Sequence, residues 1–175
     1  MTVDTNMLDA QDEQASEKDQ LMQLVGFVIG NEIFGVDILM VQEIIRGAVV
    51  TAIPNAPEFV EGVINLRGNI IPVIDLRKRL NLYVEQKTDD KNWVLLLNIG
   101  NRTTGFVVDR VTQVLKIQHD QIEPPPDIVV AGLESQYING VCEIDDYLLI
   151  LLDFDRILLM EEIRKLKQID NMKTT

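Results

Sequence analysis

The sequence predicts a mainly β protein built of two fused five-stranded antiparallel β-barrels and closed by a C-terminal helix. Three observations lead there. Short apolar runs rich in Val, Ile and Leu recur along the chain, bounded by turn residues such as Gly30-Asn31 and Gly100-Asn101, which is the pattern of short strands joined by tight turns. The runs come in the same order twice. From Asp153 onward the pattern changes to an apolar stripe at helical spacing, as expected of a helix with one buried face.

Taken in order, residues 1–20 carry Asp4, Asp9, Asp12, Glu13, Glu17 and Asp19 against Lys18 alone, so a solvated acidic tail is expected. Leu24 to Ile29 reads as a strand, Gly30-Asn31 as a turn and Ile33 to Asp37 as the returning strand. Ile38 to Ile45 is ambiguous, since Ile38, Val41, Ile44 and Ile45 also fit a helical stripe; a short turn followed by a strand is expected. Pro54 and Pro57 interrupt regular structure, with a single helical turn expected between Ala56 and Val60. Two apolar runs, Val63 to Leu66 and Ile70 to Leu76, flank Gly68-Asn69, and glycine supplies the positive φ that a tight hairpin needs. After it, Arg77, Lys78 and Arg79 read as a solvated basic cluster, and Val84 to Asn92 as a polar connection. Trp93 to Ile99, Gly105 to Asp109 and an apolar series through Ile117 follow, then Pro124-Pro125-Pro126, a stiff extended piece. Ile138 to Cys142 and Tyr147 to Leu152 form a further hairpin, and Asp153 to Ile169 the final helix.

Within the central hairpin, Arg67 is the unusual member. Neither packing nor turn geometry calls for a fixed cation there, so it points to a local salt bridge or to a partner.

An internal repeat organises these elements, and in it Gly30-Asn31 precedes Val36-Asp37 much as Gly100-Asn101 precedes Val108-Asp109. Gly62 lies 13 residues before Asp75, and Gly140 lies 13 before Asp153. The offsets predict one five-strand unit used twice, over residues 24–85 and 93–155, each forming a small barrel. Barrels of that size are marginal alone, so the two are expected to share an apolar interface. The copies differ at one place. Five residues after Gly62 stands Arg67, whereas five after Gly140 stands Asp145, an asymmetry that folding does not require.

Composition narrows the function. A net charge of −12 argues against nucleic-acid binding, which needs a basic surface. Cys142 and His119 are the only cysteine and histidine, too few for a structural zinc site. Cys142 reads as a buried small hydrophobe and His119 as a surface or loop residue. No apolar run is long enough to span a bilayer and no signal peptide is evident, so the cytoplasm is the expected address. An enzyme would have to rely on Asp37, Asp75, Asp109 and Asp153. Each follows an apolar strand, where the ordinary task of an aspartate is to end the strand and accept backbone hydrogen bonds. The rival readings are a carboxylate-dependent hydrolase, which needs these acids to converge, and an oligonucleotide-binding barrel, which needs a basic, aromatic-studded face.

The stretch from Ile53 to Arg77, IPNAPEFVEGVINLRGNIIPVIDLR, resembles the signature of the CheW family, the coupling proteins of bacterial chemotaxis. Gly105-Phe106-Val107-Val108-Asp109-Arg110-Val111, the proline run, and Tyr137 to Val141 followed by Leu151-Leu152-Asp153 are similar to the rest of that pattern. The resemblance spans residues 21–165 and implies a non-catalytic adaptor with two SH3-like β-barrels and no cofactor or metal. It implies two partners: the cytoplasmic tip of methyl-accepting chemoreceptors and the regulatory domain of the histidine kinase CheA. By the same resemblance Arg67, Asn65, Gly68, Val41 and Glu43 belong to the receptor side, while the kinase-facing positions are not assigned. Membrane insertion is not expected, only association with membrane-bound receptor arrays. A coupler of a non-flagellar sensory array, serving surface motility or gene control, is the alternative use of the same scaffold.

Overall fold

The computed structural model describes residues 21–80, 82, 93–125 and 135–158. The acidic tail, the connection from Val84 to Asn92, Pro126 and the stretch beyond Leu158 over which the final helix is expected to continue lie outside the described residues; within them the helix makes one turn and Leu158 is extended. The strands are β1 (Leu21–Ile29), β2 (Glu32–Asp37), β3 (Val41–Arg46), β4 (Val60–Leu66), β5 (Asn69–Asp75), β6 (Trp93–Ile99), β7 (Arg102–Val108), β8 (Arg110–Gln118), β9 (Ile138–Ile144) and β10 (Tyr147–Leu152). Two single-turn helices, α1 (Leu76–Arg79) and α2 (Phe154–Ile157), follow β5 and β10. Ile38–Met40 forms a 3-10 turn before β3, in keeping with the ambiguous sequence there. Around Pro57 the chain makes only a turn, closed by Val60 N–H donating to Pro57 O at 2.9 Å, and not the helical turn expected.

The two-barrel expectation is wrong. Among the described residues the strands form two open five-stranded sheets, ordered β8-β1-β2-β10-β9 and β3-β6-β7-β5-β4, and neither sheet closes into a barrel. Nor are the sheets purely antiparallel. β10 runs parallel to β2, and β5 parallel to β7. The physical reason is the way the halves interleave. The β1-β2 hairpin sits between β8 and the β9-β10 hairpin, while β6-β7 sits between β3 and the β4-β5 hairpin. Each sheet is therefore completed by strands from the other half of the chain. The parallel contacts arise where a hairpin from one half meets a hairpin from the other.

Strand alternation explains how these sheets bury both faces. On β6, Leu95 and Leu97 join a central cluster that also takes Phe27, Phe34, Phe106 and Ile150 from both sheets. The intervening Val94 and Leu96 turn the other way, onto Ile64, Ile71, Val73 and Val107 of their own sheet. The first sheet has the equivalent private cluster in Leu24, Ile117, Cys142, Leu149 and Leu151. Phe27 stacks on Phe34 with centroids 5.7 Å apart, and Phe106 meets Phe154 edge-on at 5.0 Å. Each such fully buried ring stabilises the fold by about 1.5–3 kcal/mol, which is what holds the two sheets as one core.

The repeat is visible in the hydrogen bonds. Asp75 N–H donates to Phe59 O at 2.8 Å, and Asp153 N–H to Tyr137 O at 2.9 Å. Both aspartates then cap the helix that follows, accepting from Arg77 N–H at 2.9 Å and Arg156 N–H at 3.3 Å. Thr51 and Val63 exchange backbone hydrogen bonds, as do Glu123 and Val141. In the first of these places the extended chain comes so close that a Cβ at Gly62 would lie 2.0 Å from Thr51 O, which is why glycine stands there. Asp37 and Asp109 are not equivalents, however. Gly35 and Gly105 hold matching positions opposite Gly26 and Leu96, which sets Asp37 against Val107.

Candidate functional site

The expected receptor-side residues gather around the β4-β5 turn. Arg67 and Gly68 are its two central residues, with φ of 53° and 84°, the paired left-handed conformation of a two-residue hairpin. Asn65 holds the turn by accepting from Gly68 N–H at 3.1 Å. Arg67 is thus part of the turn itself, and Asn69 opens β5. A left-handed conformation suits Gly or Asn and is unusual for arginine. The equivalent turn residue Asp145 has φ of 48°, so the repeat places opposite charges on the same strained geometry.

From this turn the Arg67 side chain, 76% exposed, reaches Glu43 on β3 with Nη2 3.2 Å from Oε1. β3 and β4 are the two edges of one sheet. The ion pair therefore shows how far that sheet curls: its edges meet through side chains, with no backbone ladder between them. Val41 is on the same strand as Glu43 but packs against the central cluster, so it supports the site from beneath. Sequence reasoning missed Ile44, whose side chain lies open on β3, and Arg46, whose guanidinium stacks 5.1 Å over Trp93. The signal for the latter was register, since Arg46 pairs directly with Trp93, and register is set by tertiary structure.

The basic cluster is not the solvated patch expected. Arg77 bridges two acids, with Nε 3.3 Å from Asp75 Oδ1 and Nη1 3.4 Å from Asp109 Oδ1. Asp109 in turn accepts from Gly30 N–H at 2.6 Å, so this network ties the second sheet to the first. Arg79 donates to Ile157 O at 2.8 Å and lies over the rings of Phe59 and Tyr137 at 5.5 and 5.2 Å. Counting from Asp75 and Asp153, Ile157 is the repeat counterpart of Arg79 and Tyr137 that of Phe59. Arg79 thus sits where the two units meet. Lys78 alone keeps to the surface, paired with Glu61 at 3.2 Å.

The four aspartates do not converge on a pocket. Asp75 and Asp153 cap helices, Asp109 holds a turn, and Asp37 accepts from Leu39 N–H at 3.0 Å. Among the described residues no three His, Cys, Asp or Glu side chains are placed to hold a metal ion, and no helix is long and apolar enough to cross a membrane. His119 is exposed and Cys142 is buried at 1% exposure. Burial, with the charge of Glu123 adding to it, pushes the Cys142 thiol up from its ordinary pKa, the state of an inert packing residue. What the surface offers is charge and apolar area for a macromolecule.

The sequence profile described as CheW-like domain matches residues 23–162. The chain belongs to the CheW family. It is 43% identical over 138 residues to the chemotaxis protein CheW of Klebsiella aerogenes, covering 78% of this chain and 81% of that one. To the chemotaxis protein CheW of Treponema pallidum it is 36% identical over 151 residues, covering 85% and 88%. Among solved structures, the scaffolding protein CheW of Thermoanaerobacter tengcongensis superposes with a TM-score of 0.73 at 34% identity, over 81% of this chain and 94% of that one. The family resemblance carried by Ile53 to Arg77 was therefore correct. Membership of the CheW family makes this chain a non-catalytic adaptor of chemotaxis signalling.

Proposed function

We propose that this chain bridges the cytoplasmic tips of methyl-accepting chemoreceptors to the regulatory domain of the histidine kinase CheA, working in the cytoplasm at membrane-bound receptor arrays. The receptor side is the Arg67–Glu43 pair with the Asn65–Gly68 turn, buttressed by Val41. One observation carries this assignment. An arginine occupies a left-handed turn position that it does not suit, and its guanidinium is held out at a curled sheet edge by Glu43. An exposed ion pair of this kind contributes little to stability, whereas a planar donor fork at a rim is well fitted to carboxylates and carbonyls of a partner. The mechanism is a population shift. The adaptor transmits a receptor rearrangement only if the joined complex binds the active and inactive kinase arrangements with different affinity.

The test is a pull-down with purified CheA and a receptor signalling fragment, each alone and then together. Simultaneous capture of both is the expected result, and capture of neither by folded protein would overturn the bridge. Arg67→Ala is expected to weaken receptor binding by about tenfold or more, the loss of one interface anchor, and an unchanged affinity would remove Arg67 from the site.

A further inference from the structure

A cavity of about 540 Å³ opens where the start of β1 meets the end of β8 and the 3-10 turn after β2. Its size falls within the roughly 300–1,000 Å³ of small-molecule sites, which pair apolar walls with a few placed polar groups. Leu21, Met22, Ile38 and Leu39 supply the walls. Leu39 is 89% exposed and Leu21 49%, so apolar surface at the mouth lies in water, and an apolar occupant would remove it from water. Met22 adds a flexible, polarisable side chain that can mould to such an occupant.

The polar groups decide which occupant fits. The one acid of the lining, Asp37, already accepts from Leu39 N–H. The lysine of the lining, Lys116, has no acid, ring or hydrogen-bond partner among the described residues. Apart from Arg110, every other described arginine or lysine is engaged in one of those ways. On a chain of net charge −12, a lysine left without an acid is an exception. Lys116 pairs with Gln23, and Leu21 with Gln118. Residues opposite one another in a ladder share a face, as do alternate residues of a strand, so Lys116 stands on the same face as Leu21. The His119 imidazole adds a second hydrogen-bonding group to the lining. One ammonium beside a hydrocarbon wall suits a head group of a single negative charge.

We propose that this cavity binds an apolar monocarboxylate of the fatty-acid type, with its carboxylate on Lys116 Nζ and its hydrocarbon tail among Leu21, Met22, Ile38 and Leu39. The tail covers the open leucines, and the head brings the charge that Lys116 lacks. The inference rests on the cavity and its charges and does not depend on the receptor assignment.

The experiment is an amide NMR titration of the isotope-labelled full-length chain with sodium octanoate, and in parallel with octanol and with butyrate. Octanoate is expected to give saturable shifts at Leu21, Met22, Leu39 and Lys116, and none at Asn65 to Gly68. Octanol, which keeps the tail without the charge, should bind at least about tenfold more weakly, and so should butyrate, which keeps the charge on a shorter tail. Lys116→Gln, an exposed change, is expected to weaken octanoate at least about fivefold and to leave octanol as it was. Equal affinity of the parent for octanoate and octanol would overturn the proposal, as would a Lys116→Gln chain that binds octanoate like the parent. Shifts at these residues from vesicles of phosphatidylglycerol with none from octanoate would also overturn it, by making the ligand a membrane surface. No receptor or kinase enters this test, so its failure leaves the adaptor reading as it stands.

Discussion

Replacing Gly62 by alanine is expected to cost far more than the single methyl group suggests. The new Cβ would lie 2.0 Å from Thr51 O and 2.7 Å from Thr51 C, and both are backbone atoms that no side-chain rotation can move. Relief requires the Thr51 segment to withdraw, which breaks its two hydrogen bonds with Val63, 2.8 and 2.9 Å long. At about 1 kcal/mol each, these add to a backbone strain of about 1–3 kcal/mol for alanine at φ of 149°. The sum is about 3–5 kcal/mol, a large part of the 5–15 kcal/mol by which a typical domain is stable. Gly68→Ala is the control, because it too has positive φ but a Cβ there meets nothing within 4 Å. Urea unfolding followed by circular dichroism should place Gly62→Ala at least about 2 kcal/mol below Gly68→Ala, the difference being the clash and the broken hydrogen bonds. Equal losses would refute the close-approach argument and leave conformational strain alone as the reason for glycine.

Asp75→Asn keeps a competent helix cap but discards the charge facing Arg77, and should cost about 1–2 kcal/mol in chemical denaturation, below the value for a fully buried pair because Arg77 is 27% exposed. Arg79→Met should lower stability by about 2 kcal/mol, because it removes the charged hydrogen bond to Ile157 O and the stacking on Phe59 and Tyr137 that join the two units; a calorimetric change below half of that would show the guanidinium to be dispensable. Arg67→Ala, by contrast, should leave unfolding within about 0.5 kcal/mol of the parent, as befits an exposed ion pair. The raised Cys142 pKa means that the folded state favours the protonated thiol. That contribution is complete below the ordinary thiol pKa and is lost as pH rises through the raised folded value, so stability should decline with pH across the alkaline range and a Cys142→Ala chain should lack this slope. Alkylation of native protein at mildly alkaline pH should run roughly 10³-fold slower than in urea, because it must await opening.

Much of the local structure was legible because its causes are local. Trp93 to Ile99, interrupted only by Asn98, and Tyr147 to Leu152 are apolar runs between turn signals, and the observed strands have those same limits. Asp75 and Asp153 announced their capping role by standing at the end of such runs. What could not be read was which strand lies beside which. The parallel pairing of Leu149 with Ile33 or of Val73 with Gly105 links residues whose separation leaves no periodicity behind, so contiguous halves were expected where interleaved ones exist. The same blindness made Arg77 and Arg79 look solvated, since Asp109 and Ile157 come near only after the sheets assemble. At the site, the turn and the oddity of Arg67 were visible in the sequence. Its partner Glu43 entered through family resemblance, and the curl that joins two sheet edges was not visible at all.

The interleaving bears on what half of this molecule could be. A chain carrying one five-strand unit would own a first hairpin, a third strand and a last hairpin, yet could assemble neither sheet, because each sheet takes its first hairpin from one unit and the rest from the other. Such a chain would find its missing neighbours only in a second copy of itself, and would be an obligate dimer whose integrity depends on concentration. Joining the units in one polypeptide removes that dependence. It also releases the copies from having to be identical, so that one turn can carry arginine while its counterpart carries aspartate, and a body assembled like a symmetric dimer can present two different faces to two different proteins.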